Sequence, residues 1–213
     1  MIDIKSKKNL THLLYGSAVV WCLLAVYSYY PVSNLFSYHA ISLSILILLL
    51  VCSYIEGAYS RYSGGIEKQQ HQLNHKYGMI ISFFTSFIGA AFMLLKRWYE
   101  RKGFLLVDRT PTYHSTAGLF WLFLTLCSSS SGWIAHVNEK SLSANAFELN
   151  ILKSIGNGNL KKGRRTIKQY HRYFSFFAIT VAFLAVGLGL HKTNRVMLSY
   201  SLIYIYILMC LLF

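Results

Sequence analysis

Residues 39–58 read HAISLSILILLLVCSYIEGA, a run with one histidine at its front, one carboxylate, Glu56, near its back, and no other charge. Helical residues rise about 1.5 Å each, so twenty of them match a hydrocarbon core of about 30 Å, and the run predicts a membrane-crossing helix. Working outward, similar apolar stretches lie near 12–30, 75–95, 114–136, 171–191 and 196–213. Composition agrees: 54% of residues are hydrophobic and 13% charged, about half the charged share of a soluble domain. The expected fold is all-α, a polytopic membrane bundle of six transmembrane helices. No loop is long enough to bury a core of its own, so residues 1–213 are expected to form a single domain. Lys5, Lys7 and Lys8 before the first stretch imitate a secretory signal, but no small-x-small cleavage site precedes Pro31, and the stretch reads as an uncleaved span.

The formal net charge is +14. Such basicity could point to nucleic acid, but the cations sit in connections between apolar runs rather than along one face, so membrane lipid is the expected surroundings and no nucleic-acid partner is. They also sort by side. With six spans, the N-terminal side collects Lys5, Lys7, Lys8, Arg61, Lys68, Lys76, Lys140, Lys153, Lys161, Lys162, Arg164, Arg165, Lys168 and Arg172, twice the number on the other side. The positive-inside bias makes that side cytoplasmic, with both termini there. The Gly-rich basic stretch in the 137–170 connection is expected to be mobile and to lie on an anionic leaflet. Cys22, Cys52, Cys127 and Cys210 fall inside spans and imply no disulfide framework, and no C-x-x-C-H motif offers covalent haem attachment.

Among the eight histidines, four share a position. His39, His75, His114 and His171 each stand where an apolar run begins, in spans two to five. Successive spans run in opposite directions, so His39 and His114 fall on the non-cytoplasmic side and His75 and His171 on the cytoplasmic side. Two neutral imidazoles from facing helices can supply both axial ligands of a haem iron, and a six-coordinate iron favours electron transfer over oxygen chemistry. A helix N-terminus disfavours imidazolium and keeps a nitrogen available to metal. Spans two to five therefore read as a four-helix core binding two b-type haems. Gly89, Gly118, Gly187 and Gly189 leave room beside a flat macrocycle. His12, His136 and His191 read as interfacial groups, and His71, in a loop, as a candidate substrate contact.

The stretches Leu35-Phe36-Ser37-Tyr38-His39, Tyr113-His114-Ser115-Thr116-Ala117-Gly118 and Lys168-Gln169-Tyr170-His171 resemble the haem-ligand motifs of the cytochrome b561 family, most closely its short domain-containing transmembrane reductases. The resemblance covers residues 35–191. It implies a homodimeric, ascorbate-dependent transmembrane oxidoreductase of the endoplasmic reticulum or vesicles. Such a protein passes electrons from cytoplasmic ascorbate through two haem b groups to ferric chelate or monodehydroascorbate. It assigns His39 and His114 to the non-cytoplasmic iron and His75 and His171 to the cytoplasmic one. The chain departs from the family at Ala40, where proline is common, and at Gln69 and Leu73, where basic residues are. Lys68, Lys76, Lys168 and Arg172 are candidates to draw an anionic donor, and Lys96, Arg97 and Arg109 to hold an anionic acceptor. One alternative is a dihaem carrier with a quinone or protein donor, although no span carries two histidines 13 or 14 residues apart. Another is a non-catalytic membrane scaffold or transporter, favoured only by the polar run Ser128 to Ser131.

Overall fold

A backbone in lipid finds no water to bond, so an apolar run must satisfy its N–H and C=O groups within its own segment. The computed structural model describes residues 4–30, 32, 34–99, 113–135 and 146–211, and every regular element among them is a helix. They are α1 (Ile4–Ser28), α2 (Leu35–Tyr59), α3 (Gly65–Tyr99), α4 (Tyr113–Ala135), α5 (Ala146–Ile155), α6 (Leu160–Lys192) and α7 (Val196–Leu211). Five stretches are long and apolar enough to cross a membrane: Asn9–Ser28, Leu35–Tyr59, Gly65–Lys96, Tyr113–Ala135 and Leu160–Lys192. The chain is thus a multi-pass helical membrane protein. The last helix, α7, is apolar but shorter, with 16 residues.

Two expectations are corrected. His75 and His171 do not open their helices, because α3 starts at Gly65 and α6 at Leu160, about three turns earlier. Lys, Arg, Gln and Leu are strong helix formers, so the helix continues past the end of the apolar run, and hydropathy marks only its lipid-facing part. Nor is 146–170 an irregular basic loop: it holds α5, a turn and the start of α6. His136 and Lys140 lie outside the described residues.

The helices fall into two compact units, residues 1–114 with 186–213, and residues 115–185. In the first, Asn34 caps α2 by accepting the Ser37 N–H at 3.0 Å. Helices α2 and α3 then pack antiparallel through small residues. Gly78 lies against Ser53, and Gly89 lies against Ser42 and Leu43, the close backbone approach expected in lipid, where hydrophobicity gives helices no reason to associate. The Ser53 and Ser44 hydroxyls donate to carbonyls four residues back, at 2.7 and 2.9 Å, so they add no unsatisfied polar group. Leu14, Ala18, Trp21 and Ala25 form the buried face of α1, and Trp21 Nε1 donates to the Leu198 carbonyl of α7 at 2.9 Å. Arg195 closes α1 by donating to the Ser28 carbonyl at 2.6 Å, its guanidinium lying over the Tyr29 ring, where a cation meets the negative end of the helix dipole.

In the second unit, α4 and α6 meet at Ser128 and Ser175, whose hydroxyls are 2.5 Å apart, and at the edge-to-face Phe120 and Phe177 rings. Leu152 of α5 is buried with Ala135 and Ile167, with Ile134 and Leu160 around them. The reversal from α5 to α6 uses left-handed Asn157 and Gly158, residue types that tolerate positive φ. Gly156 and Gly163 serve a different need: Gly163 sits on the Leu152 carbonyl, and Gly156 on Asn159 and Gly163 backbone atoms. Because backbone cannot swing aside as a side chain can, Gly163→Ala is expected to destabilise this elbow by about 1–3 kcal/mol. Faster amide exchange across 146–155 would register it, and unchanged exchange would show that the elbow opens without cost.

Candidate histidine ligand sites

Each of the four histidines is half-buried, and its surroundings fix its chemistry. His75 Nδ1 lies 2.7 Å from the Ser53 carbonyl, His39 Nδ1 2.8 Å from the Gly89 carbonyl, and His171 Nδ1 2.9 Å from the Ser128 carbonyl. A carbonyl can only accept, so in each ring Nδ1 carries the hydrogen. In the neutral imidazole that leaves the lone pair on Nε2, the tautomer a metal needs, and the bond to the carbonyl both orients the ring and raises its basicity.

Glycine makes these approaches possible. A methyl group on Gly57 would come within 2.9 Å of His75 Nδ1, one on Gly132 within 2.9 Å of His171 Cε1, and one on Gly189 within 2.9 Å of His114 Cε1. Two of these glycines stand four residues after the acceptor on the same helix: Ser53 and Gly57 on α2, Ser128 and Gly132 on α4. In a helix the side chain at i+4 lies over the carbonyl side of residue i, so removing it lets a ring from the neighbouring helix reach the oxygen. Of the glycines expected to leave room for a macrocycle, Gly89 and Gly189 do touch these sites. Gly118 has nothing within 4 Å, and Gly187 meets only Ser199, at 3.6 Å.

Spacing carries a further regularity. Ser53 follows His39, Gly89 follows His75 and Ser128 follows His114 by fourteen residues each. Fourteen residues make nearly four turns, so histidine and acceptor share a helix face about 21 Å apart along the axis. On the antiparallel hairpin of α2 and α3, each helix therefore carries a candidate histidine and, fourteen residues on, the carbonyl that holds its neighbour's histidine.

The structure brings His39 and His114 together, with ring centroids 6.2 Å apart and planes at 81°. Two imidazoles bound to opposite faces of one iron have centres about 6 Å apart, from metal–nitrogen bonds of about 2 Å and about 1 Å from each nitrogen to its ring centre. The donor set, the tautomer of His39 and the Gly189 cradle of His114 fit a haem held by two imidazoles. His75 belongs to the first unit and His171 to the second.

Around His39, Phe36 lies 6.3 Å from its ring and Lys96 sits 5.2 Å above Phe36, which places one of the predicted acceptor-side cations at this site. The Arg97 side chain and Arg109 lie outside the described residues. Lys68 and Lys76 are exposed on α3, and Lys168 and Arg172 line an open cleft along α6 with Lys161, Arg164, Arg165 and Gln169. His71 is a helix residue rather than a loop one. Its Nδ1 meets Glu56 Oε2 at 2.8 Å, and its ring stacks on Tyr59. Glu56, the lone charge of the opening stretch, also receives Asn74 Nδ2 at 3.1 Å and the Tyr15 hydroxyl at 3.3 Å. His12 and His191 are exposed near the ends of their helices. The run Ser128 to Ser131 belongs to the seat of His171: the Ser128 carbonyl accepts both that ring and the Ser131 hydroxyl, the latter at 2.8 Å. Sequence reasoning missed the acceptor carbonyls and the glycines four residues beyond them. Compared with known proteins, the chain matches no family model and no curated protein.

Proposed function

We propose that this chain is a transmembrane electron carrier of the cytochrome b561 type, in which α7 completes six spans. His39 with His114 would hold one b-type haem, and His75 with His171 a second near the cytoplasmic face. The observation that carries the reading is how the histidines are held: Nδ1–H of His39, His75 and His171 bound to a backbone carbonyl with Nε2 left as the donor, and a glycine against the rings of His75, His114 and His171. Interfacial histidines with no ligand to hold would gain nothing from such seats, since water and headgroups would satisfy both nitrogens.

A bound haem would supply a one-electron couple. What the protein does is hold the imidazoles. Pinned rings keep the same ligands in both oxidation states, which limits reorganisation when charge changes. His39 and the Ser53 carbonyl that holds His75 are about 21 Å apart along α2, a spacing that would put one centre toward each face, so no conformational cycle would be needed to carry charge across. On the cytoplasmic side Lys68, Lys76, Lys168 and Arg172 would attract an anionic donor such as ascorbate. On the other side Lys96 beside Phe36 would attract an anionic acceptor, ferric chelate or monodehydroascorbate.

The deciding measurement is a reduced-minus-oxidised visible spectrum of the purified chain, with haem counted per polypeptide. The expected result is a low-spin b-type spectrum and two haems per chain. A preparation grown with ample haem that shows no such spectrum would overturn the reading.

A further inference from the structure

We propose that the basic face at the start of α6 holds the headgroup of a polyphosphorylated phospholipid. This claim is independent of haem and rests on height above the membrane, spacing and charge. Helix α6 has 33 residues and is therefore about 50 Å long, against a hydrocarbon core of about 30 Å. Its apolar part runs from Tyr173 to Leu190 and is closed by His191 and Lys192, so the excess length lies at the N-terminal end, from Leu160 to Arg172. Tyr170 and Tyr173, both exposed, mark the headgroup level.

Lys161, Arg165, Lys168 and Arg172 are separated by four, three and four residues and share one helix face, with Arg164 beside them in the same cleft. Among the described residues no carboxylate lines the cleft, and Glu148 is the single acid among residues 146–172. A Lys/Arg cluster directly adjoining the cytoplasmic end of a membrane span is the arrangement that attracts anionic lipid. From Arg172 to Lys161 the ladder rises about 16 Å, whereas the headgroup layer of one leaflet is only about 5–8 Å deep. A lipid with one phosphate reaches Arg172 and Lys168. The upper rungs Arg165, Arg164 and Lys161 need anionic groups that stand above the phosphodiester, as ring phosphates on an inositol headgroup do. A small monoanionic reductant would occupy one or two of these cations and leave the rest without purpose. The elbow of Gly156 and Gly163 braces this end of α6 against α5, so the ladder is held by packed backbone rather than by a loose tail.

The test uses the full-length chain in neutral phosphatidylcholine nanodiscs, titrated with dioctanoyl phosphatidylinositol bisphosphate and read by native mass spectrometry. One lipid per chain is expected. Each cation near an anionic headgroup contributes about fivefold in affinity, so Lys161→Gln with Arg165→Gln should weaken binding about 25-fold. Lys161→Arg with Arg165→Lys should restore it, and Lys192→Gln, at the other end of α6, should change it by less than about twofold. The proposal is overturned if phosphatidylserine binds equally well, if soluble inositol trisphosphate binds as tightly as the lipid, or if the double glutamine variant binds like wild type.

Discussion

His114→Ala is expected to leave one haem per chain, still reduced by ascorbate added on the cytoplasmic side, while reduction of a ferric chelate trapped on the opposite side falls to background. The asymmetry follows from where the histidines stand. His114 is the second residue of α4 and pairs with His39. In the proposed carrier its loss would remove one of the two imidazoles at the exit side, and it leaves the seats of His75 on Ser53 and His171 on Ser128 intact. His75→Ala is expected to do the reverse: the exit-side haem remains, but ascorbate no longer reduces it. Neither change removes a large apolar side chain from the core, so the helices should survive and loss of signal reports on the ligand. The readouts are haem content, the ascorbate-reduced spectrum, and chelate reduction in sealed proteoliposomes of defined orientation. If His114→Ala blocked entry and His75→Ala did not, the cytoplasmic assignment drawn from Lys and Arg placement would be inverted.

The membrane character was legible because lipid leaves a chain so few options. A run such as 39–58, with a single carboxylate in twenty positions, has no stable form in a bilayer except a helix. Even that carboxylate conforms, since Glu56 sits at the end of α2 with His71, Asn74 and Tyr15 around it. The starts of α3 and α6 were not legible from hydropathy, because Glu67 to Lys76 and Lys161 to Arg172 are mostly polar and rich in the helix formers Lys, Arg and Gln, and the signal for span ends before the signal for helix does. The seats of the histidines were hidden for a different reason. A backbone carbonyl has no residue signature, so Ser53, Gly89 and Ser128 could not be picked out as acceptors by type. The fourteen-residue step from each histidine was written in the sequence, but its meaning appears only when α2 and α3 are seen side by side. Of the serines at 128 to 131, read as a polar cluster that favoured a transporter, Ser128 and Ser131 turn inward, the first meeting Ser175 and the second donating to the Ser128 carbonyl that also holds His171.

Gly132→Ala should therefore weaken haem binding at the His171 side by about 10–100-fold, the usual cost of disturbing a group that orients a metal ligand. Alanine is the better helix former, by about 1 kcal/mol at an interior position, so a purely local view predicts a gain. The ring opposes that gain. A methyl group at 132 would lie 2.9 Å from His171 Cε1 and 3.1 Å from Nδ1, and the imidazole cannot retreat without lengthening its 2.9 Å bond to the Ser128 carbonyl. Once that bond is lost, Nδ1–H has no fixed partner, the tautomer is no longer set, and Nε2 is not held in place as a ligand. Gly57→Ala is expected to act in the same way on His75. Gly118→Ala supplies the control, since nothing lies within 4 Å of that position, and it should leave haem affinity unchanged while raising thermal stability slightly. Titrating haem into apo-protein, alongside a thermal melt, separates the two effects. Were Gly132→Ala to bind haem as tightly as Gly118→Ala does, the glycine would be serving helix packing alone, and the pinned imidazole would lose its role in the proposed carrier.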